Sequence, residues 1–114
     1  MQLLTKSIKD RLVKNFRATE RFNKIMYEDT GQEDNLNHKA VVKLFNPSGV
    51  GTWYLSELNP DTNVAFGLCE LHEKEFGYVS LDELTEYKGM FGLGIERDRL
   101  FKSNSKTLEE LLNA

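Results

Sequence analysis

Two short connections constrain this chain more than any other feature. Residues 40–45 (AVVKLF), 52–58 (TWYLSEL) and 64–71 (VAFGLCEL) are rich in β-branched and aromatic side chains, as strands are. Only NPSGVG (46–51) and NPDTN (59–63) separate them. Both connections open with Asn-Pro, a turn-initiating pair. A parallel crossover needs a dozen or more residues, so these runs must be antiparallel neighbours in a meander.

The meander extends downstream. FGYV (76–79) reads as a short fourth strand. Ser80 stands at a helix N-cap, with Glu83 three residues on, as in a capping box. A short helix over 80–87 follows. Gly89, Gly92 and Gly94 then break the chain. IERDRLF (95–101) reads as a fifth strand, and 107–112 as a short terminal helix.

Upstream, residues 3–26 read as helical, either one helix or two divided near Asn15. Ile8, Leu12, Phe16, Phe22 and Met26 recur at helical spacing, and Thr5 suits the N-cap. Lys14, Arg17, Arg21 and Lys24 project from the opposite face. Residues 28–38 (EDTGQEDNLNH) read as an exposed polar loop. The fold class is therefore α+β, with a meander sheet of four to five strands packed on an N-terminal helix and short helices near the C-terminus. A length of 114 residues suits one domain, and such a chain needs no disulfide or structural metal to hold its core.

Composition narrows the function classes. Cys69 is the sole cysteine, so an internal disulfide framework is excluded. Cys69, His38 and His72 are a poor ligand supply for a metal, and no cofactor or metal is expected. The N-terminus lacks the apolar core of a signal peptide, and no run reaches the roughly 18 apolar residues of a membrane helix. A cytosolic protein without membrane contact is the expectation. Net charge is −3, but residues 1–24 carry seven basic and two acidic groups, against eight and sixteen in the remainder. Such asymmetry bears on partner choice more than on fold.

No catalytic set is legible. GMFGLG (89–94) is neither a dinucleotide fingerprint nor a phosphate loop, and reads as a tight structural loop. Glu96, Arg97 and Asp98 form the densest charge cluster. In a strand Glu96 and Asp98 share one side, which could serve acid–base or metal chemistry, but ion pairing within the fold is the simpler reading. Trp53, Tyr54, Phe45 and Phe66 could stack bases if exposed, yet core packing is the ordinary fate of strand aromatics. Cys69 sits in an apolar run as an inert thiol, and His72 opens an exposed polar turn.

The order AVVKLFNP, TWYLSEL, AFG, EFGYVSLDEL and IERD, closed by Phe101 and preceded by the opening LLTK, resembles the bacterial domain-of-unknown-function 2958 family. Residues 17–35 are longer and more charged than that pattern. The resemblance implies no established activity. It implies a setting on plasmids, phages and integrative elements, beside genes that counter host defence. The expectation is a non-enzymatic interaction protein that binds and inhibits a host restriction or CRISPR nuclease, with Lys14, Arg17, Arg21 and Lys24 as a contributing surface. The alternative is a nucleic-acid-binding or processing accessory that uses the basic helix or the Glu96-Arg97-Asp98 cluster.

Overall fold

The computed structural model describes residues 3–30 and 37–114, with backbone alone over 26–30. Helix α1 (Lys6–Thr30) is followed by β1 (Val42–Phe45), β2 (Thr52–Asn59), β3 (Val64–Glu70) and β4 (Lys74–Ser80). Then come α2 (Leu81–Glu86), a 3-10 turn (Met90–Gly92), β5 (Glu96–Arg97) and α3 (Leu108–Leu112). The strands lie in the order β4-β3-β2-β1-β5, antiparallel where neighbours pair. The expected meander accounts for four of them, and β5 closes the sheet against β1.

Helix α1 is one continuous helix. Thr5 caps it, its hydroxyl accepting from the Ile8 amide at 3.2 Å. Asn15 does not divide it. The helix also continues to Thr30, so residues 28–30 are helical and not loop as the polar sequence suggests. Residues 31–36 of that segment, and the side chain of Met26, lie outside the described residues.

Two cores flank the sheet. On the α1 face, Leu4 and Leu12 pack with Val42, Leu44, Trp53 and Leu55, and α2 adds Leu81 and Leu84. On the other face Phe66 and Leu68 meet Ala40 and Leu108, with Leu111 and Leu112 beside them. Burial of Leu44, Trp53, Leu55 and Phe66 agrees with the strand reading. The facing of α1 departs from it. Leu12 is fully buried and Thr19 is buried, whereas Phe16 and Phe22 are only half-buried.

The short helices are set by local capping. Ser80 accepts from the Glu83 amide. Thr107 and Glu110 form a reciprocal capping box around α3. The reading of 95–101 as a strand is corrected: the strand is Glu96–Arg97, and the Asp98 amide makes a last bond to the Lys43 carbonyl at 2.9 Å. Asp98 turns the chain, its carboxylate accepting from the Leu100 amide at 2.9 Å, an Asx-type contact that competes with strand continuation.

Candidate functional site

Three places combine chemistry with position: a buried polar clasp between α1 and β2, the charge cluster at β5, and an exposed apolar tip.

The clasp begins with a β-bulge. The β2–β3 register shifts between Leu55 and Glu57, leaving Ser56 without a ladder partner. Gly67 lies opposite Leu55, where a Cβ would collide with the Tyr54 carbonyl and the Leu55 backbone, so the strands close up there only around glycine. The Ser56 carbonyl accepts from the Asn15 amide of α1 at 2.9 Å. One helical turn on, the Thr19 hydroxyl lies 2.9 Å from a Glu57 carboxylate oxygen and 3.0 Å from the His38 ring. His38 and Glu57 stand 3.9 Å apart, with side chains 18% and 4% exposed.

Burial pushes the Glu57 carboxyl up to about 6, opposed in part by the Thr19 hydroxyl bond. Burial likewise lowers the His38 imidazole, opposed by its hydrogen bond to the Asn15 backbone. The clasp holds two titratable groups whose charged forms burial disfavours, but its central hydroxyl is buried and engaged on both sides. Thr19 therefore offers nothing to a substrate. The arrangement ties helix, bulge and the segment entering β1 into one unit.

Sequence reading missed this clasp, because His38 falls in a segment that looks like open loop. The structure gives its ring two partners. The available signal was Asn15 and Thr19, two small polar residues four apart on the same stripe as Leu12.

The charge cluster at β5 is dispersed within the fold. Arg97 donates to the Leu3 carbonyl at 2.8 Å and ties down the N-terminal entry to α1. Asp98 pairs with Lys43 at 3.6 Å, and Lys43 lies 5.6 Å from the Tyr54 ring centroid. Glu96 stands opposite Phe45 across the β1–β5 ladder. Among the described residues no group of three His, Cys, Asp or Glu is placed to hold a metal. The basic face of α1 does lie outward: Lys14, Arg21 and Lys24 are exposed. Arg17 is half-buried, pairing with Glu20 at 3.4 Å and lying 5.8 Å from the Phe16 ring centroid.

The apolar tip follows α2. Gly89 approaches Ser48 so closely that a Cβ there would collide with the Ser48 hydroxyl, and Tyr87 shares a hydrogen bond with Asn46 at 3.3 Å. The segment 87–93 is thereby pinned beside the 46–51 turn, where Val50 is exposed. Met90 and Leu93 are exposed as well, and Phe91 is 91% exposed with a backbone φ of 58°. A left-handed backbone at a bulky aromatic is a true outlier, and a solvated aromatic forgoes its burial energy. Leu100 is as exposed, but it stands at a turn with an ordinary φ. Single exposed leucines are common on protein surfaces.

No helix is long and apolar enough to cross a membrane among the described residues. Comparison with curated proteins and with solved structures returns no match. One family model does match, over residues 3–113, spanning both cores, the clasp and the tip, and the chain accordingly belongs to the family described as protein of unknown function (DUF2958).

Proposed function

We propose that this protein works by association with another protein, and that the apolar tip at 90–93 enters a pocket on that partner. The observation that carries this reading is Phe91, where two unfavourable features coincide. Its backbone occupies the left-handed region, at a cost on the order of 1–2 kcal/mol for an L-residue. Its ring lies in water. Asparagine or glycine would relieve both, so neither folding nor solubility accounts for the side chain. A preformed aromatic anchor flanked by Met90 and Leu93 fits the pattern of an interface hot spot.

The basic face of α1 serves such association as a steering surface. Exposed charges of one sign raise encounter rates and affect specificity more than they affect intrinsic affinity. A host restriction or CRISPR nuclease remains the proposed partner class. Its support is the setting implied by family resemblance, which is an argument from association. The chain would act by occlusion and not by catalysis.

The test is comparative capture of partners by wild type, Phe91→Asn, and Lys14→Glu/Arg17→Glu/Arg21→Glu, at two salt concentrations. The expected result is a retained protein that Phe91→Asn loses at both salts and that the triple variant loses chiefly at low salt. Retention of nucleic acid that depends on the triple site and ignores Phe91 would establish the alternative reading instead.

A further inference from the structure

The sheet ends on one side in β5, two residues long, and on the other in β4, which is seven. Every residue of β4 pairs with β3 without a break, from Lys74↔Glu70 to Ser80↔Val64. Its outer edge is therefore a regular row of backbone donors and acceptors. Edge strands of soluble proteins are usually shortened, bulged, interrupted by proline or guarded by charged side chains, because a long regular edge recruits another strand. β4 has no bulge and no proline, and its two charges, Lys74 and Glu75, stand together at its first end. Its edge also carries aromatic surface: Phe76 and Tyr78 are exposed, on one face of the strand, with ring centroids 6.3 Å and 5.1 Å from that of Phe66.

We infer that β4 is the dimer interface of this protein, pairing antiparallel with β4 of a second copy about a twofold axis at Gly77. The sequence of the strand selects this occupant. An axis perpendicular to the sheet places residue i opposite residue j with a constant sum, and only the register centred on Gly77 pairs all seven residues. In it Phe76 faces Tyr78 of the second copy, and Tyr78 faces Phe76, forming a ladder of four aromatics on one face. Aromatic pairs directly across strands are among the stabilising ones. Lys74 faces Ser80, and Glu75 faces Val79. No like charges oppose each other, although the strand carries both a lysine and a glutamate. Glycine at the axis leaves the two backbones free to approach. An extended segment of an unrelated protein could use the same edge, but nothing would require its side chains to match this symmetry.

One strand edge with its aromatics is a small contact beside the roughly 1,600 Å² of a standard-size interface. The dimer is accordingly weak and concentration-dependent, with dissociation in the micromolar range.

The test uses the full chain in a Cys69→Ser background, because Cys69 is the sole native thiol and lies beside Gly77. A Cβ at Gly77 has room, its nearest neighbour being the Cys69 sulfur at 3.8 Å. Opposed residues of an antiparallel pair lie about 4.5–5.5 Å apart between Cα atoms, within disulfide reach. Under oxidised glutathione, Gly77→Cys should form a covalent dimer at least about tenfold faster than Asp61→Cys, an exposed turn control. By sedimentation equilibrium, Phe76→Lys/Tyr78→Lys should weaken dimerisation at least about tenfold, with unchanged circular dichroism. A wild-type chain that stays monomeric up to roughly 100 µM would overturn the proposal. So would a dimer that survives the double lysine variant, or equal cross-linking at Gly77 and Asp61. Because Phe91 plays no part in this contact, the dimer and the partner reading stand or fall separately.

Discussion

The clasp under α1 and the tip at 90–93 solve opposite problems. At the clasp, polar groups sit where apolar ones are expected, and each finds a partner: Asn15 with Ser56, Thr19 with Glu57 and His38. At the tip, apolar groups sit where polar ones are expected, and Phe91, Met90 and Val50 stand in solvent. Burying a polar group is tolerable only when its hydrogen bonds are replaced. Exposing an apolar cluster on a strained backbone has no such remedy inside the chain. The difference teaches where to look for function. The clasp is explained by the fold it completes, and the tip is not.

That contrast breaks most readily in the core. Trp53→Ala removes a buried ring that packs under α1, and should lower stability by about 3–5 kcal/mol in denaturant unfolding. A loss below about 1 kcal/mol would mean that α1 is not held by this face. Thr19→Val keeps the shape of the clasp but removes the hydroxyl between His38 and Glu57. Leaving a buried carboxyl and an imidazole unbridged should lower stability by about 2 kcal/mol. A neutral result would show that water replaces the hydroxyl, and that the clasp is open.

A pH series sharpens the clasp further. The folded chain holds Glu57 at about 6 against an ordinary 4.5. Between those values the folded state binds a proton that the unfolded state releases. The contribution is therefore fully present below 4.5 and lost as pH rises through about 6, a change of about 2 kcal/mol. His38 has the opposite slope. Its folded value lies below 6.5, so its contribution is present above that value and lost as pH falls. The two groups therefore act on the wild-type profile with opposite slopes. Glu57→Gln removes one of them. It should be about 1–2 kcal/mol more stable than wild type at pH 8, with the gap closing by pH 4.5. A variant less stable than wild type at pH 8 would show that the ionised carboxylate is needed by its partners.

The fold was largely readable because its signals are local. Asn-Pro turns, strand runs rich in β-branched and aromatic residues, and caps at Thr5 and Ser80 each act within a few residues. The misreadings are cases where a distant partner decides. Asn15 looked like a possible break because its acceptor, the Ser56 carbonyl, lies 41 residues away. His38 looked exposed because Thr19 and the bulge at Glu57 come from other elements. The stripe of α1 was placed slightly off because Phe16 and Phe22 outweigh Thr19 in apolar periodicity, while Thr19 has the buried partners. Residues 95–101 looked like a strand because β propensity does not register the Asx contact at Asp98. The tip was visible as three glycines. Its exposure depends on the packing of Gly89 against Ser48, which spacing alone does not reveal.

The most direct test of the account is the thermal stability of Phe91→Asn. Asparagine tolerates the left-handed backbone better than phenylalanine and leaves no apolar ring in water. If Phe91 serves a partner and not the fold, the variant should melt at or above the wild-type temperature, with a gain of a few tenths to about 1 kcal/mol. A loss of more than about 1 kcal/mol would contradict the account, because it would place Phe91 among the residues that hold this chain together.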